Sequence, residues 1–417
     1  MRIWLASLVI LVSLGLGSGS MVYAQTPSLL EEGDRALDAK EYDVAIDRYG
    51  KAADADANNY AARFQLALTL SLVGRHAEAI PQYEKVLALR PGLYEAQINL
   101  GLSYVNTNNP SAALPHLRAA AEQKPKEFRP AVYLAQALLS TEQYLTAEAA
   151  FRSALAIDAT SAPAEAGLAE ALGRQNKVDE AALHFNQAFT LDRTYRSGLV
   201  ELAQLYEANK RTKEAIALYR LFPDNPVALE HLGTLLTESG ELPEATKALE
   251  EAVGKWPTPA RRIALAKVYL RNKQPAKAEM VLAEIVQTQP GDLELRMFYA
   301  LVLRDQRKFG QAAMELTAIT GLDPKAGDAW NELANVQILA SDYAGALTSF
   351  DRVKSLGAER SATSFYRALA LDHLNQWPEA IVSYNQFLAD NRGKFPDQEF
   401  QSRQRVKTLE IELRKKR

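Results

Sequence analysis

An all-α solenoid, a stack of helix hairpins, is predicted by three observations on this chain. Eleven alanines recur at near-constant spacing: Ala45, Ala79, Ala113, Ala147, Ala181, Ala215, Ala245, Ala278, Ala312, Ala346 and Ala380. The first six are 34 residues apart, steps of 30 and 33 follow, and the 34-residue step then returns. Twelve residues before each stands a glycine or alanine: Gly33, Ala67, Gly101, Ala135, Ala169, Ala203, Gly233, Ala266, Ala300, Ala334 and Ala368. Four residues after each stands a bulky apolar side chain: Tyr49, Tyr83, Leu117, Phe151, Phe185, Tyr219, Leu249, Leu282, Leu316, Phe350 and Tyr384. Self-similarity at such a period is the signature of stacked repeats. Small residues twelve apart fall on two helices and let them approach, and the bulky residue fills the gap that remains.

The register divides the chain into units near 26–59, 60–93, 94–127, 128–161, 162–195, 196–225, 226–258, 259–292, 293–326, 327–360 and 361–394. Each is expected to be two antiparallel helices joined by a short turn. Inside the helices apolar residues recur at three- and four-residue spacing, as in Leu66, Leu70 and Val73. Turn residues fall between the two helices at Gly74-Arg75-His76, Asn108-Asn109-Pro110, Asn176-Lys177, Gly240-Glu241 and Asn272-Lys273-Gln274. Pro91, Pro125, Pro257, Pro290 and Pro324 close units, because proline lacks the backbone donor a helix interior needs. The sixth unit is four residues short and ends Leu221-Phe222-Pro223-Asp224-Asn225-Pro226, so its second helix is expected to be truncated. That irregularity is read either as a joint between residues 25–225 and 226–394 or as a tolerated deletion. After the last unit, Lys394-Phe395-Pro396 leads into an expected capping helix near 397–415, within a final segment 395–417, with Phe400, Val406, Leu409 and Leu413 on its packing side. Its end, Arg414-Lys415-Lys416-Arg417, suits the negative C-terminus of a helix and could also attach to anionic headgroups.

These three positions, held through eleven copies, closely resemble the tetratricopeptide repeat (TPR) family over residues 26 to 394. The 35-residue pentatricopeptide and 36-residue Sel1-like repeats fit the period less well. The resemblance implies an open right-handed superhelix of about eleven hairpins, with the first helix of each lining a concave surface where ligands lie. Inward-facing residues would then be Phe64, Leu68, Ile98, Leu102, Val105 and Val132 in units two to four, an apolar stripe. Such a stripe marks an interaction site unless its members pack between neighbouring first helices. Glu170, Glu201, Gln204, Glu207, Glu230 and Glu238 would make an acidic stretch, followed by Lys267, Arg271 and Arg304. Asn331, Asn335, Phe365 and Tyr366 would add amides to hold a peptide backbone and rings to anchor side chains. Family members that clamp chaperone carboxylates use lysine, asparagine and arginine where this chain has Phe64, Leu68, Asn99, Arg129 and Tyr133. Only Asn99 and Arg129 agree, which argues against that partner.

Composition sets the class of function. The formal net charge is −3, so there is no strong pull toward nucleic acid. Cysteine is absent, which removes disulfides, thiolate metal sites and a cysteine nucleophile. The repeats consume nearly every residue and leave no catalytic domain, phosphate-binding loop or nucleophile elbow. His76, His116, His184, His231 and His373 fall in five different units, away from metal-ligand spacing. Acid pairs such as Glu31-Glu32 and Glu250-Glu251 read as solvated helix faces. No cofactor, metal site or catalytic residue is expected.

Residues 1–24 read as a secretory leader: Met1-Arg2, an apolar run from Ile3 to Leu16, and Val22-Tyr23-Ala24 before a cleavage point at Gln25. An uncleaved anchor is the alternative. Either places the repeats outside the cytoplasm, periplasmic or secreted. The expected function is a non-enzymatic adaptor of the cell envelope that holds protein segments along its groove. Rival readings are a subunit of a machine that exports or assembles polysaccharide, pili or outer-membrane proteins, and a glycan or peptidoglycan binder. Membrane contact is confined to an uncleaved leader or the basic C-terminal end.

Overall fold

A computed structural model describes residues 28–415. The leader with its cleavage point, and Lys416 and Arg417 of the basic end, lie outside the described residues. Among those described there are twenty-three α-helices, one short 3-10 helix and no strand. The helices form two compact units, one ending at Leu218 and the other starting at Tyr219.

In the first unit the hairpins pair Leu29–Asp38 with Tyr42–Ala55, Tyr60–Leu72 with His76–Leu89, Tyr94–Asn106 with Pro110–Gln123, Phe128–Ser140 with Tyr144–Ile157, and Ala162–Arg174 with Val178–Leu191. The 3-10 turn Arg193–Ser197 and helix Gly198–Ala208 follow, then Thr212–Tyr219, which ends at the boundary. The second unit pairs Pro226–Ser239 with Leu242–Lys255, Pro259–Arg271 with Pro275–Thr288, Leu293–Asp305 with Phe309–Leu322, Gly327–Leu339 with Tyr343–Ser355, and Thr363–His373 with Trp377–Asp390. Helix Pro396–Lys415 packs on the last of these.

The repeat positions explain the hairpins. All eleven register alanines are 0% exposed, and the eleven small and eleven bulky residues around them are buried. Side-chain closeness decides why the first-helix position is small. A Cβ on Gly33 would lie 2.5 Å from the Tyr49 ring, one on Gly101 2.6 Å from Leu117, and one on Gly233 2.5 Å from Leu249. The bulky residue therefore sits on the small one sixteen residues earlier. Seven residues after each alanine lies a further buried position, from Ala52 and Val86 to Val353 and Phe387.

The turns are equally regular. Five residues before each alanine the backbone has positive φ, at Lys40, Gly74, Asn108, Glu142, Asn176, Lys210, Gly240, Lys273, Arg307, Ser341 and Asn375. Only two of these are glycine, so the left-handed turn is imposed by hairpin packing against the preference of most residues there. First helices start on polar caps: Asn59, Ser161, Asn225, Thr258 and Asp292 accept hydrogen bonds from backbone N–H groups of the first turn.

The truncation of the sixth hairpin is present. Thr212–Tyr219 has 8 residues where the other second helices have 13 or 14. It keeps Ala215 and Tyr219 fully buried, and the loop then places the Phe222 ring at the seventh position after the alanine, also buried. A large side chain on a loop thus fills a place that the other second helices fill from the helix itself, as Phe387 does.

The capping helix differs from expectation in one respect. Val406 and Leu409 are buried and Leu413 is half-buried, but Phe400 is exposed. The packed side passes through Glu399, Ser402, Val406 and Leu409, and Phe400 lies about 100° around the helix from Glu399.

Candidate partner-binding faces

Adjacent first helices touch along each unit, as Tyr60–Leu72 touches Tyr94–Asn106 and Pro226–Ser239 touches Pro259–Arg271. Their outward side chains therefore form a continuous face within a unit, and this face carries most residues of interest.

In the first unit the apolar stripe is thinner than the sequence suggests. Leu68 and Ile98 are 1% exposed and offer no surface. Ile98 belongs to the core cluster of Tyr94, Ala113, Leu117, Ala120 and Ala137. Phe64 is half-buried, with its ring edge-on to Tyr83 at 6.0 Å. Leu102 and Val105 lean on the core around Ile98 and Leu117, each keeping part of its surface open. Val132 is half-buried on the next first helix. The open remainder is thus Phe64, Leu102, Val105 and Val132.

Beside it, Tyr104 donates to Glu84 at 2.5 Å and stacks on His116 at 5.9 Å. The Glu84 carboxylate pushes the Tyr104 hydroxyl up to about 12. His116 Nδ1 meets Gln97 at 2.8 Å, and burial lowers its pKa. These contacts fix the ring positions.

Further along the same unit the face turns acidic. Burial raises the Glu201 pKa, and the charge of Glu170 adds to the shift. Glu170 already has a cation beside it, Arg174 at 3.7 Å. Gln204 is exposed and Glu207 half-buried. In the second unit Glu230 is committed elsewhere, since Arg261 Nε, almost fully buried, lies 2.8 Å from its carboxylate. Glu238 is exposed.

Lys267 and Arg271 are exposed on the second unit's face. Arg304 binds Glu332 at 2.7 Å, and Arg360 binds the other oxygen of Glu332 at 2.8 Å and Asp328 at 2.9 Å. Asn331 is buried, and its amide donates to the carbonyls of Gly327 and Ala358, both at 2.9 Å. It ties the start of its helix to the loop before the next unit and has no donor left for a peptide. Asn335 is half-buried and Tyr366 half-buried. Phe365 is buried against Tyr384 and Phe387, so it is a core ring instead of an anchor.

Sequence reasoning passed over a second apolar stretch in this unit. Met297, Leu301, Ile338 and Leu369 occupy matching positions and, with Phe298, are half-buried, and Leu339 is 52% exposed. Counting from the small residue of each hairpin would have found Met297, Leu301, Ile338 and Leu369, which hold the offsets of Phe64, Leu102 and Val105, whereas Phe298 and Leu339 stand one residue further along.

Among the described residues no group of three His, Asp or Glu converges as a metal site. No described helix is long and apolar enough to cross a membrane.

The chain matches the tetratricopeptide repeat at residues 30–94, 98–162, 167–226 and 300–361, and a second profile of the same description at 236–302. Among solved structures it is similar to MamA 41-end from Desulfovibrio magneticus RS-1, at 24% identity over 39% of this chain and 92% of that one, with a TM-score of 0.37. A structure of MamA AMB-1 is 25% identical over 40% of this chain and 98% of that one, with a TM-score of 0.37. Another MamA crystal structure is 23% identical over 40% and 90%, with a TM-score of 0.38. No curated protein sequence matches. With the repeat profiles covering more than half of its length, the chain belongs to the tetratricopeptide repeat family, a family of protein–protein interaction scaffolds.

Proposed function

We propose that this protein is a non-catalytic scaffold of the cell envelope, acting outside the cytoplasm, that holds protein segments on its first-helix faces. The observation that carries this reading is the uneven lining of those faces. Half-open apolar side chains in each unit (Phe64, Leu102, Val105 and Val132 in the first; Phe298, Leu301, Ile338 and Leu369 in the second) share a face with charged and polar residues that keep surface, Glu201 and Gln204 in the first and Lys267 and Arg271 in the second. A merely solvated repeat surface has no need of such a lining. The leader pattern of residues 1–24 supports the extracytoplasmic placement. Asn335 and Tyr366 remain as polar and aromatic contacts for an extended segment. The chemistry is multivalent contact with no covalent step.

Affinity capture from envelope extracts tests this, with the chain from Gln25 as one bait and a Phe64→Glu, Leu102→Glu bait beside it. Circular dichroism checks that both are folded. A protein held by the first and lost by the second supports binding at the apolar face of the first unit. Equal capture by both, followed by loss with Phe298→Glu, moves the contact to the second unit. Absence of any specific protein, with glycans retained instead, overturns the protein-scaffold reading.

A further inference from the structure

The capping helix Pro396–Lys415 keeps one side unpartnered. Glu399, Ser402, Val406 and Leu409 are buried on the side that meets the last hairpin. Away from them Phe400 is 62% exposed and Ile411 53%. A repeat array ends well on a cap whose outer side is polar, and these two side chains break that rule. Both belong to one seam, Asp397, Phe400, Gln404, Lys407, Ile411 and Arg414, every member exposed. Its steps are three, four, three, four and three residues, the spacing of a helix that packs on another helix.

The seam has the same spacing from either end, symmetric about a point between Arg405 and Val406. An identical helix laid antiparallel along it puts Phe400 opposite Ile411, Asp397 opposite Arg414 and Gln404 opposite Lys407, each pair twice. Charge fits that alignment. Arg403 is paired with Glu399, Arg405 with Asp372 and Lys415 with Glu412 within the chain. Asp397 and Arg414 have no ion-pair partner among the described residues, and the second copy supplies one to each. Lys407 can donate to the Gln404 side-chain carbonyl opposite. A parallel copy would set Asp397 on Asp397 and Arg414 on Arg414.

We propose that two copies of this chain pair through their capping helices, antiparallel and about a two-fold axis. Phe400 and Ile411 cover each other, and the Asp397–Arg414 pairs and the polar centre fix direction and register. The packed side of the helix stays on the last hairpin, so pairing requires no unfolding. One helix against another lies at the small end of specific interfaces, below about 1,200 Å² in total, and the two Lys407 ammonium groups meet diagonally at its centre. The dimer is therefore expected in the micromolar range. Asp397 and Arg414 also suit the dipole of their own helix, a role that exchanging the two would destroy, whereas the exchange preserves pairing between copies. The proposal does not depend on what the first-helix faces hold.

Because the chain lacks cysteine, single cysteines can report the contact. Full chains carrying Phe400→Cys and Ile411→Cys, with different tags, are mixed and mildly oxidised, and Met314→Cys on a second helix is the control. The expected product is the mixed disulfide between positions 400 and 411, in excess of either like-with-like species and of any product at 314. The mixed dimer keeps its other Phe400–Ile411 contact intact. In sedimentation across the micromolar range, Asp397→Arg or Arg414→Asp should each weaken the dimer about tenfold, since each sets like charges together twice. Both substitutions in one chain should restore it. Circular dichroism confirms that the variants fold, and the apolar N-terminal run is the same in every chain. A monomer throughout that range, like-with-like disulfides in excess, or no recovery when both charges are exchanged would overturn the proposal.

Discussion

Gly167 lies under the Phe151 ring so closely that a Cβ there would stand 2.2 Å from Cζ. Phe151 is fully buried, so its ring has to give for any added Cβ. Gly167→Ala is therefore expected to destabilise the first unit by about 2 kcal/mol through overpacking, read by urea unfolding. The same scale explains Glu148, which is mostly buried and accepts from Lys177 at 2.7 Å, Gln175 at 2.9 Å and Arg152 at 3.1 Å. Lys177 first, then the other two donors, hold its pKa at about 2 instead of 4.5. A lowered carboxylate pKa is stability present above the unfolded value and lost as pH falls toward the folded one. Glu148→Gln should therefore cost about 2 kcal/mol at pH 7, with the gap to the unsubstituted chain closing between pH 4.5 and 2. A gap that persists at pH 2 in paired denaturation curves would assign the loss to shape instead of charge. Neither residue announces itself in the sequence. Gly167 is off the repeat register, and the partners of Glu148 come from residues up to 29 positions away.

At the scale of elements, the hairpins were legible because their packing repeats. The spacing of small, register and bulky residues placed the eleven hairpins, and the short sixth unit appeared as a shortened second helix. The left-handed turn position was only partly legible. Gly74, Gly240, Asn108 and Asn176 signal it, whereas Glu142, Lys210 and Arg307 adopt it with no local preference of their own. Phe222 was read only as part of a terminating run, yet it fills a core position from a loop. Because its amides bond in turns (Phe222 to the Tyr219 carbonyl, Asn225 to that of Phe222) or to the Asn225 side chain (Val227), the segment 221–227 should exchange its amides faster than the second helices of the fifth and eighth hairpins, measured by native-state exchange. Protection there equal to those helices would make the deletion structurally silent. The capping helix shows the limit of counting: Phe400 was assigned to the packed side, and a rotation of about 100° put Glu399 and Ser402 there instead.

For the molecule as a whole, stability is expected to add locally, since within each unit successive hairpins pack on their sequence neighbours. Gly167→Ala should raise exchange among residues of the first unit and leave protection within 226–390 unchanged. Equal loss in both units would mean one cooperative block. The sequence by itself determined the family, the number of hairpins and the core, because a packing solution repeated eleven times is written as spacing. It also named the faces on which binding residues would stand. Only the tertiary structure decided which of them remain open. Leu68, Ile98, Asn331 and Phe365 share offsets or residue types with open neighbours but are covered by adjacent helices, while Phe298, Leu301 and Phe400 are left with surface. Offset fixes the direction in which a side chain leaves its helix, and the side chains of the next helix decide whether water reaches it.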